Sequence, residues 1–360
     1  MLGELTNRLV LSLLAIVAAL ALFASGCTRQ PPRFDYSNGG GRQGTEADRG
    51  APGVSGPEKR LRIAIVLPGS AADRGFNESA AEAAPVLEER LGAQVNVAEM
   101  TAPSDFEKAF RDFASAGYDV VIGHGFEFGD VAEAVAPSYP NTYFFVTNNP
   151  RLAGPNSKGL QPRSHESAYL AGVAAGSLTV SKKIAAVGGF SFPVIVAQIK
   201  AFELGVRSVR PDAEVRNVYL NTFDDIDKGK EAALALASEG IDIIYHIADS
   251  AGVGVISGAR QAGIYAIGWG KDQHDLAPGT VVTSQIVDQK AMIVQAVEEY
   301  KHGNMPDGVW RFGLDSGVTG LAPVRARDAT ASANAQSKVD EARASILAGR
   351  IQVPFITEPS

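Results

Sequence analysis

Cysteine is nearly absent from this sequence, because Cys27 is the only one among 360 residues. A single cysteine cannot form a disulfide within the chain, so a buried apolar core must stabilise the fold. Positive charge is also in deficit, and the formal net charge is −7. That balance argues against nucleic acid and against an anionic membrane surface as binding partners.

The motifs of several enzyme classes are missing as well. The glycine-rich stretches 123–129 and 252–258 follow the pattern G-x-G-x-x-x-G instead of the dinucleotide fingerprint, and no Walker A sequence occurs. Ser191 lacks the second glycine of a nucleophile elbow, and the five histidines show no metal-binding spacing. We therefore expect a binding protein with no catalytic residue, no cofactor and no metal.

Long apolar runs are absent after residue 27, and the one before it, 9–23, follows Arg8 and precedes Ala24-Ser-Gly-Cys27. This order is typical of a bacterial lipoprotein signal peptide. The alternative, a transmembrane anchor with an incidental cysteine, is disfavoured because the run is shorter than the ~20 residues of a bilayer span. We expect a signal peptide at 1–26, lipidation of Cys27, and a protein tethered outside the cytoplasm.

Residues 27–60 are rich in proline, glycine, serine and charge and have no apolar periodicity. This composition predicts a flexible spacer between the anchor and a folded body.

From residue 61 onward, short apolar runs alternate with helical patterns, which is typical of parallel sheets covered by helices. In the first unit the pattern predicts strands at 61–67, 93–97, 119–122 and 142–146, and helices at 79–91, 105–116 and 130–136. In the second unit it predicts strands at 183–187, 214–220, 242–245 and 264–267, and helices at 165–179, 194–209, 228–239 and 252–262. Two doubly wound α/β units in tandem imply a cleft between them, where ligands bind at the carboxyl ends of strands.

The loops after these strands concentrate aromatic rings, acids and amides. Rings that stack and short polar groups that bind ring edges suit a planar heteroaromatic ligand. The candidate ligand-binding residues are Asp73, Phe76, Asn77, Phe126, Phe190, Phe192, Asp249, Trp269 and Asp272. Purely structural roles stay open for several of them, since phenylalanines pack in cores and Asp73 is a suitable helix cap. His124 is expected to be a hydrogen-bonded loop histidine.

These loops also carry a family pattern, including Asp73-Arg-Gly-Phe-Asn77, Glu166-Ser-Ala-Tyr-Leu-Ala-Gly172, Gly188-Gly-Phe-Ser-Phe-Pro193 and Gly320-Leu-Ala-Pro323. From residue 61 to about 355 the chain resembles the basic membrane protein family, substrate-binding lipoproteins of ABC transporters similar to purine nucleoside receptors.

The resemblance implies a type I periplasmic-binding fold, with two lobes and a hinge that closes on the ligand. Lobe 1 would comprise 61–150 plus 272–305, with a strand at 281–284 and a helix at 290–300. Lobe 2 would comprise 151–271 plus 306–360. The implied partners are a small-molecule ligand, a purine base or nucleoside, and the permease and ATPase subunits of a transporter.

In the family's site, Phe76 would stack on the base and Asn77 would form a hydrogen bond with it. Phe126, with Phe190 or Phe192, would form an apolar wall, and Asp272 or Asp249 would make polar contacts.

Two departures from the family pattern concern the sugar. Nucleoside-binding members often carry Gly-Val-Asp where this chain has Gly268-Trp-Gly270, and Val287 replaces a common lysine. Loss of a polar ribose clamp favours a flatter ligand such as a free purine base, unless Asp249 replaces the clamp. Alternatives are a sugar or another small polar solute, a surface sensor or adhesin, and an exported nucleoside hydrolase.

Overall fold

The computed structural model describes residues 60–73 and 75–358. The predicted signal peptide, Cys27 and the predicted spacer up to residue 59 lie outside the described residues.

The strands and helices alternate along most of this region. The strands are β1 Arg62–Val66, β2 Gln94–Ala98, β3 Val120–Gly123, β4 Tyr143–Thr147, β5 Ala153–Gly154, β6 Ser157–Pro162, β7 Lys183–Gly188, β8 Glu214–Tyr219, β9 Ile243–Ile247, β10 Tyr265–Gly270, β11 Val281–Val287, β12 Trp310–Phe312 and β13 Thr319–Leu321. The α-helices are α1 Phe76–Ala81, α2 Ala83–Leu91, α3 Phe106–Ser115, α4 Gly129–Val135, α5 Ser164–Leu178, α6 Pro193–Val209, α7 Ile226–Ser238, α8 Asp249–Ala262, α9 Gln289–His302 and α10 Ala329–Leu347.

Two sheets organise the fold. The first has the strand order β12-β6-β4-β3-β1-β2, with β5 paired to β6, and the second has the order β13-β11-β10-β9-β7-β8. The pairing is parallel except for β5 with β6 and β13 with β11. The central strands are buried almost throughout, as in β3 and β9, because helices cover both faces and apolar runs need no alternation.

The chain passes between the sheets three times. It leaves the first sheet after β6 for α5, which packs on α6 of the second lobe, and it returns after β11 through α9, which packs on α1 and α2. After β12 joins the first sheet, residues 313–318 lead to β13 in the second. Two α/β lobes joined by three crossings therefore flank a cleft, as the resemblance implies.

The predicted position of one strand is wrong. The run 281–284 was expected in the first lobe, but β11 pairs with β10 in the second sheet, with Gly268 opposite Ser284. The connection between β10 and β11 contains a 3-10 turn at His274–Leu276 and no α-helix. It therefore lacks the helical pattern that usually separates two neighbouring parallel strands of one sheet. The opposite error concerns β5, β6 and β12. All three lie in the first sheet, although 151–271 and 306–360 were assigned to lobe 2.

Two helix starts also differ from expectation. The predicted helix 79–91 is divided at Glu82 into α1 and α2, and Pro85 is tolerated because it lies in the first turn of α2, where its missing N–H has no intrahelical partner. The helix predicted at 105–116 begins at Phe106, because a 3-10 turn at Pro103–Asp105 precedes it, and no side chain caps it.

Glycines bring the helices of the second lobe into backbone contact. Gly205 on α6 faces Gly172 on α5, and a Cβ added at Gly205 would overlap the carbonyl oxygen of Tyr169. The helices α7 and α8 meet in the same way at Gly229 and Gly254. Such close crossings leave no room for a methyl group.

Within the part of the chain that the structure describes, no helix combines the length and apolar character needed to cross a bilayer.

We predict that Gly205→Ala destabilises the protein by about 1–3 kcal/mol, because the added methyl group forces α5 and α6 apart. Urea unfolding of the full chain measures this. Gly320→Ala is the matched control, since a Cβ there meets no atom within 4 Å, and equal destabilisation by both variants would contradict the packing argument.

Candidate functional site

A cavity of about 310 Å³ lies between the two lobes, at the carboxyl ends of strands from both sheets. Seven of the nine expected ligand-binding residues line it: Asp73, Phe76, Asn77, Phe126, Phe192, Asp249 and Trp269. The tandem sheets thus bring together loops that are far apart in sequence.

The other two expected residues lie outside the lining. Phe190 supports it from behind, because its ring stacks on Phe192 with a centroid distance of 5.3 Å and an interplanar angle of 11°. Asp272 is exposed, and its Oδ2 accepts a hydrogen bond of 2.8 Å from the guanidinium of Arg325. Asp272 is therefore part of an exposed ion pair and lies outside the lining of this cavity.

The Asp73 carboxylate shapes the wall that the first lobe contributes. Its Oδ1 accepts hydrogen bonds from the backbone N–H of Gly75 at 2.9 Å and of Glu78 at 3.0 Å. Its Oδ2 accepts from the backbone N–H of Asn77 at 2.9 Å and from Asn77 Nδ2 at 2.8 Å. The carboxylate thus satisfies the free N–H groups at the start of α1 and leaves Asn77 Oδ1 enclosed without a partner.

The Phe76 ring is held by His124, which stacks on it at 3.8 Å. His124 Nε2 lies 3.0 Å from the carbonyl oxygen of Phe76, which can only accept, so Nε2 carries the proton and donates. Nδ1 then accepts from the hydroxyl of Thr147 at 2.9 Å. Burial lowers the pKa of His124 to about 4, so a neutral histidine backs the ring, in agreement with the hydrogen-bonded role expected for it.

Aromatic rings from both lobes meet across the cleft. Phe126 of the first lobe meets Phe192 of the second edge-to-face, with centroids 5.4 Å apart. Behind Phe192, Phe190 and Phe223 meet at 5.1 Å. This cluster gives the cavity an apolar wall whose halves belong to different lobes.

Trp269 is positioned by a chain of glutamines in the second lobe. Its Nε1 donates to Gln198 Oε1 at 3.0 Å, and the same oxygen accepts from Gln285 Nε2 at 3.0 Å. Its backbone N–H donates to Gln273 Oε1 at 3.0 Å. That oxygen also accepts from Nε2 of the buried His246 at 2.9 Å, so both the ring and the backbone of Trp269 are fixed.

Acidic side chains dominate the polar lining. Asp73, Glu127, Asp224 and Asp249 line the cavity, whereas none of its described lining residues is a lysine, arginine or histidine. Burial, and then the Asp73 carboxylate, raise the pKa of Asp249 to about 7. Such a site disfavours anionic ligands and favours hydrogen-bond donors.

Sequence reasoning missed several lining residues, most clearly Gln198 and Asn148. Gln198 lies on α6 rather than in a loop, and its signal was an amide among the buried apolar side chains of that helix. Asn148 follows β4, and no residue of the loop after this strand was predicted to bind a ligand. It has a φ of +55°, a conformation that asparagine tolerates better than most residues.

Two polar contacts also span the cleft. Ser250 Oγ donates to the backbone carbonyl of Asp73 at 3.0 Å, and Lys271 Nζ lies 3.1 Å from Glu78 Oε1. The lobes are thus in contact at the rim of the cavity.

A smaller cavity of about 220 Å³ lies beside the first and shares Phe76 and Trp269 with it. Its lining includes Gly270 and Val287, the two positions at which the resemblance would lead one to expect an acid and a lysine. Val287 is buried and offers no polar group.

Among residues 60–73 and 75–358, no group of three or more histidine, cysteine, aspartate or glutamate side chains is arranged to hold a metal ion.

Residues 60–357 match the family model Bmp, described as ABC transporter substrate-binding protein PnrA-like. The chain is 29% identical over 328 residues to the ABC transporter nucleoside-binding protein BmpA of Lactococcus lactis, covering 84% of this chain and 92% of the relative. It is 30% identical over 247 residues to a putative ABC transporter glucose-binding protein, TsgA13, of Haloferax volcanii, covering 68% of this chain and 62% of the relative.

Among solved structures, a solute-binding protein of an ABC transporter system from Aeropyrum pernix superposes with a TM-score of 0.72. The match covers 82% of this chain and 94% of that one at 22% identity. This likeness shows the periplasmic-binding-protein fold.

We predict that Asp249→Asn stabilises the ligand-free protein more at pH 8 than at pH 5, by about 2–3 kcal/mol. The folded pKa is raised, so the carboxyl binds its proton more tightly in the folded state. Its stabilising contribution is present at low pH and is lost as the pH rises through about 7.

Urea unfolding of the full chain at both pH values measures this effect. Asp227→Asn, at an exposed aspartate of α7, controls for the change in net charge. A pH-independent effect of Asp249→Asn would contradict the prediction.

Proposed function

The chain belongs to the Bmp family of PnrA-like ABC transporter substrate-binding proteins, and from that premise we propose that it binds a purine base or nucleoside. The ligand would occupy the cavity between the lobes. The observation that carries the proposal is that the cavity combines aromatic rings from both lobes with enclosed acceptor oxygens. A planar ring with donor groups on its edge satisfies both.

The stacking surface is Phe76. His124 covers one face of its ring at 3.8 Å, and the ring also lines the cavity, where a base would stack. The relative in Lactococcus lactis is described as nucleoside-binding, which supports the same ligand class.

A free base is favoured over a nucleoside. The residues that would replace a ribose clamp, Gly270 and Val287, carry no polar side chain and line the smaller cavity beyond Phe76 and Trp269. Ribose hydroxyls placed there would lose hydrogen bonds to water without gaining equivalents from these side chains.

We further propose that the protein is a lipoprotein anchored through Cys27 outside the cytoplasm, at the cell membrane or cell surface. There it would deliver its ligand to a permease with its ATPase subunits, acting as a receptor rather than as an enzyme. The order of charge, apolar run and small residues before Cys27 supports the anchor.

A sugar is the second candidate ligand, favoured by the description of the Haloferax relative as a putative glucose-binding protein. Carboxylates accept hydrogen bonds from hydroxyl groups, and aromatic faces pack on sugar rings.

The first test is thermal unfolding of the full chain with purine bases, their nucleosides, glucose and ribose. A ligand at about 100 times its dissociation constant adds about 2.7 kcal/mol of stability, which is several degrees in melting temperature. Shifts with purines alone are expected. A shift with glucose and none with purines would replace the proposal by the sugar candidate.

The second test concerns the wall of the cavity. Phe192→Ala should weaken purine binding about tenfold, since it removes an aromatic contact worth about 1 kcal/mol together with apolar area. Phe355→Ala is the matched control, because both phenylalanines are 37% exposed and Phe355 lies outside the lining. Isothermal titration measures both variants, and equal losses would place the ligand elsewhere.

The anchor is tested in cells. Cys27→Ser should move the protein out of the detergent-soluble membrane fraction and abolish incorporation of labelled fatty acid. Unchanged labelling would contradict lipidation at Cys27.

A further inference from the structure

Asp249 occupies a backbone conformation that side chains avoid. It is the first residue of α8, separated from the end of β9 by Ala248, and its φ is +43°. For an aspartate this left-handed position is uncommon and costs free energy relative to glycine. A residue kept in such a position beside a cavity invites a functional explanation.

The Asp249 carboxylate faces the opposite lobe at close range. A Cβ added at Gly75 would lie 2.8 Å from Asp249 Oδ1, so only a glycine leaves room for the carboxylate there. The backbone N–H of Phe76 donates a hydrogen bond to the carboxylate. The next residue, Ser250, contacts the Asp73 carbonyl at 3.0 Å. The start of α8 therefore meets the loop that presents Phe76.

The described residues do not supply the Asp249 carboxylate with a full set of hydrogen-bond donors. Among the described residues, Asp249 Oδ1 is enclosed and has no hydrogen-bond partner, and the charged groups that act on it are the acids Asp73 and Asp224. Asp73 has no donor to offer, because it already accepts four hydrogen bonds. An enclosed carboxylate oxygen without a partner carries a substantial desolvation penalty.

No described residue donates to this oxygen, which leaves it available to water or to a ligand. On the first lobe, Asn77 Oδ1 is a second enclosed acceptor, and no described residue donates to it. The described lining contains no cation, and the indole N–H of Trp269 is already donated to Gln198. Two unpaired acceptors on opposite lobes therefore favour a ligand that brings donors at both ends.

We propose that Asp249 determines ligand specificity by accepting a hydrogen bond from the imidazole N–H of a free purine base. That nitrogen carries the sugar in a nucleoside, so the nucleoside has no such hydrogen and also places bulk against the carboxylate. The inference rests on the proposed function, purine binding in this cavity, and adds the residue that selects the base.

The expected discrimination follows from the charge of the acceptor. A hydrogen bond to a charged group is worth about 1.5–3 kcal/mol, which corresponds to roughly 10- to 100-fold in affinity. A base whose imidazole nitrogen carries a methyl group should bind more weakly than the parent base by at least that factor.

The test is isothermal titration of the full chain with adenine and guanine against their 9-methyl and 7-methyl forms. In the wild type, both methylated forms should bind at least about tenfold more weakly. In Asp249→Gly, which also suits the positive φ, the ratio should fall to within about threefold of unity. Asp227→Asn should retain the wild-type ratio.

Asp249→Asn separates hydrogen bonding from simple exclusion of the methyl group. Asparagine keeps the shape of aspartate and tolerates the positive φ, but it accepts a weaker hydrogen bond because it is neutral. The ratio of base to methylated base should therefore fall at least about fivefold. An unchanged ratio would overturn the proposal and assign the preference to steric exclusion.

The pH dependence supplies a third readout. The base would bind the ionised carboxylate, so its affinity should fall as the pH drops below about 7, the pKa of Asp249 in the ligand-free protein, and Asp249→Asn should remove this fall. Purine binding without methyl discrimination would overturn this inference alone. An absence of any purine binding would overturn the proposed function and this inference together.

Discussion

Four hydrogen bonds to one carboxylate, that of Asp73, determine the geometry on which the candidate site depends. They fix the loop that leads into α1, and with it the Phe76 ring, the Asn77 amide and the glycine at position 75. His124 then holds the Phe76 ring from behind. A residue predicted both as a helix cap and as a ligand-binding residue therefore acts structurally as a cap, and it shapes the cavity through the residues that it orders.

The second lobe holds its side of the cavity in place by a different kind of hydrogen-bond network. Its polar fixing groups lie inside the lobe, where Gln198, Gln273 and Gln285 link the indole and backbone of Trp269 to the buried sheet and to α5. Networks of this kind specify one arrangement because each enclosed amide that loses its partner costs free energy. One wall of the cleft is thus set by a turn, and the other by amides buried in a core.

The sequence predicted the elements well and their connections less well. Apolar runs such as 119–122 and 183–187 predicted strands because strands buried on both faces need no alternation. The run 281–284 was recognised as a strand but placed in the wrong lobe, since local pattern carries no information on which sheet a strand joins. The strand Ser157–Pro162 was missed because its proline and glycine resemble a loop.

The sequence likewise predicted one part of the candidate site and missed another. Loops at strand ends supplied most of the lining, because carboxyl ends of parallel strands converge on one edge. Gln198 was missed because it lies on a helix. The chain turns at Gly270, whose φ is +85°, and beyond this turn Asp272 forms an exposed ion pair with Arg325. That turn depends on backbone geometry that neither composition nor spacing reveals.

The three crossings between the sheets limit how the two lobes can move relative to each other. A single linker would leave two bodies free to twist, slide and separate, whereas three short segments side by side prevent translation because each would have to stretch at once. The remaining soft degree of freedom is a rotation about an axis near all three crossings. A ligand that contacts both lobes can therefore favour only this one rotation, whichever residues it contacts.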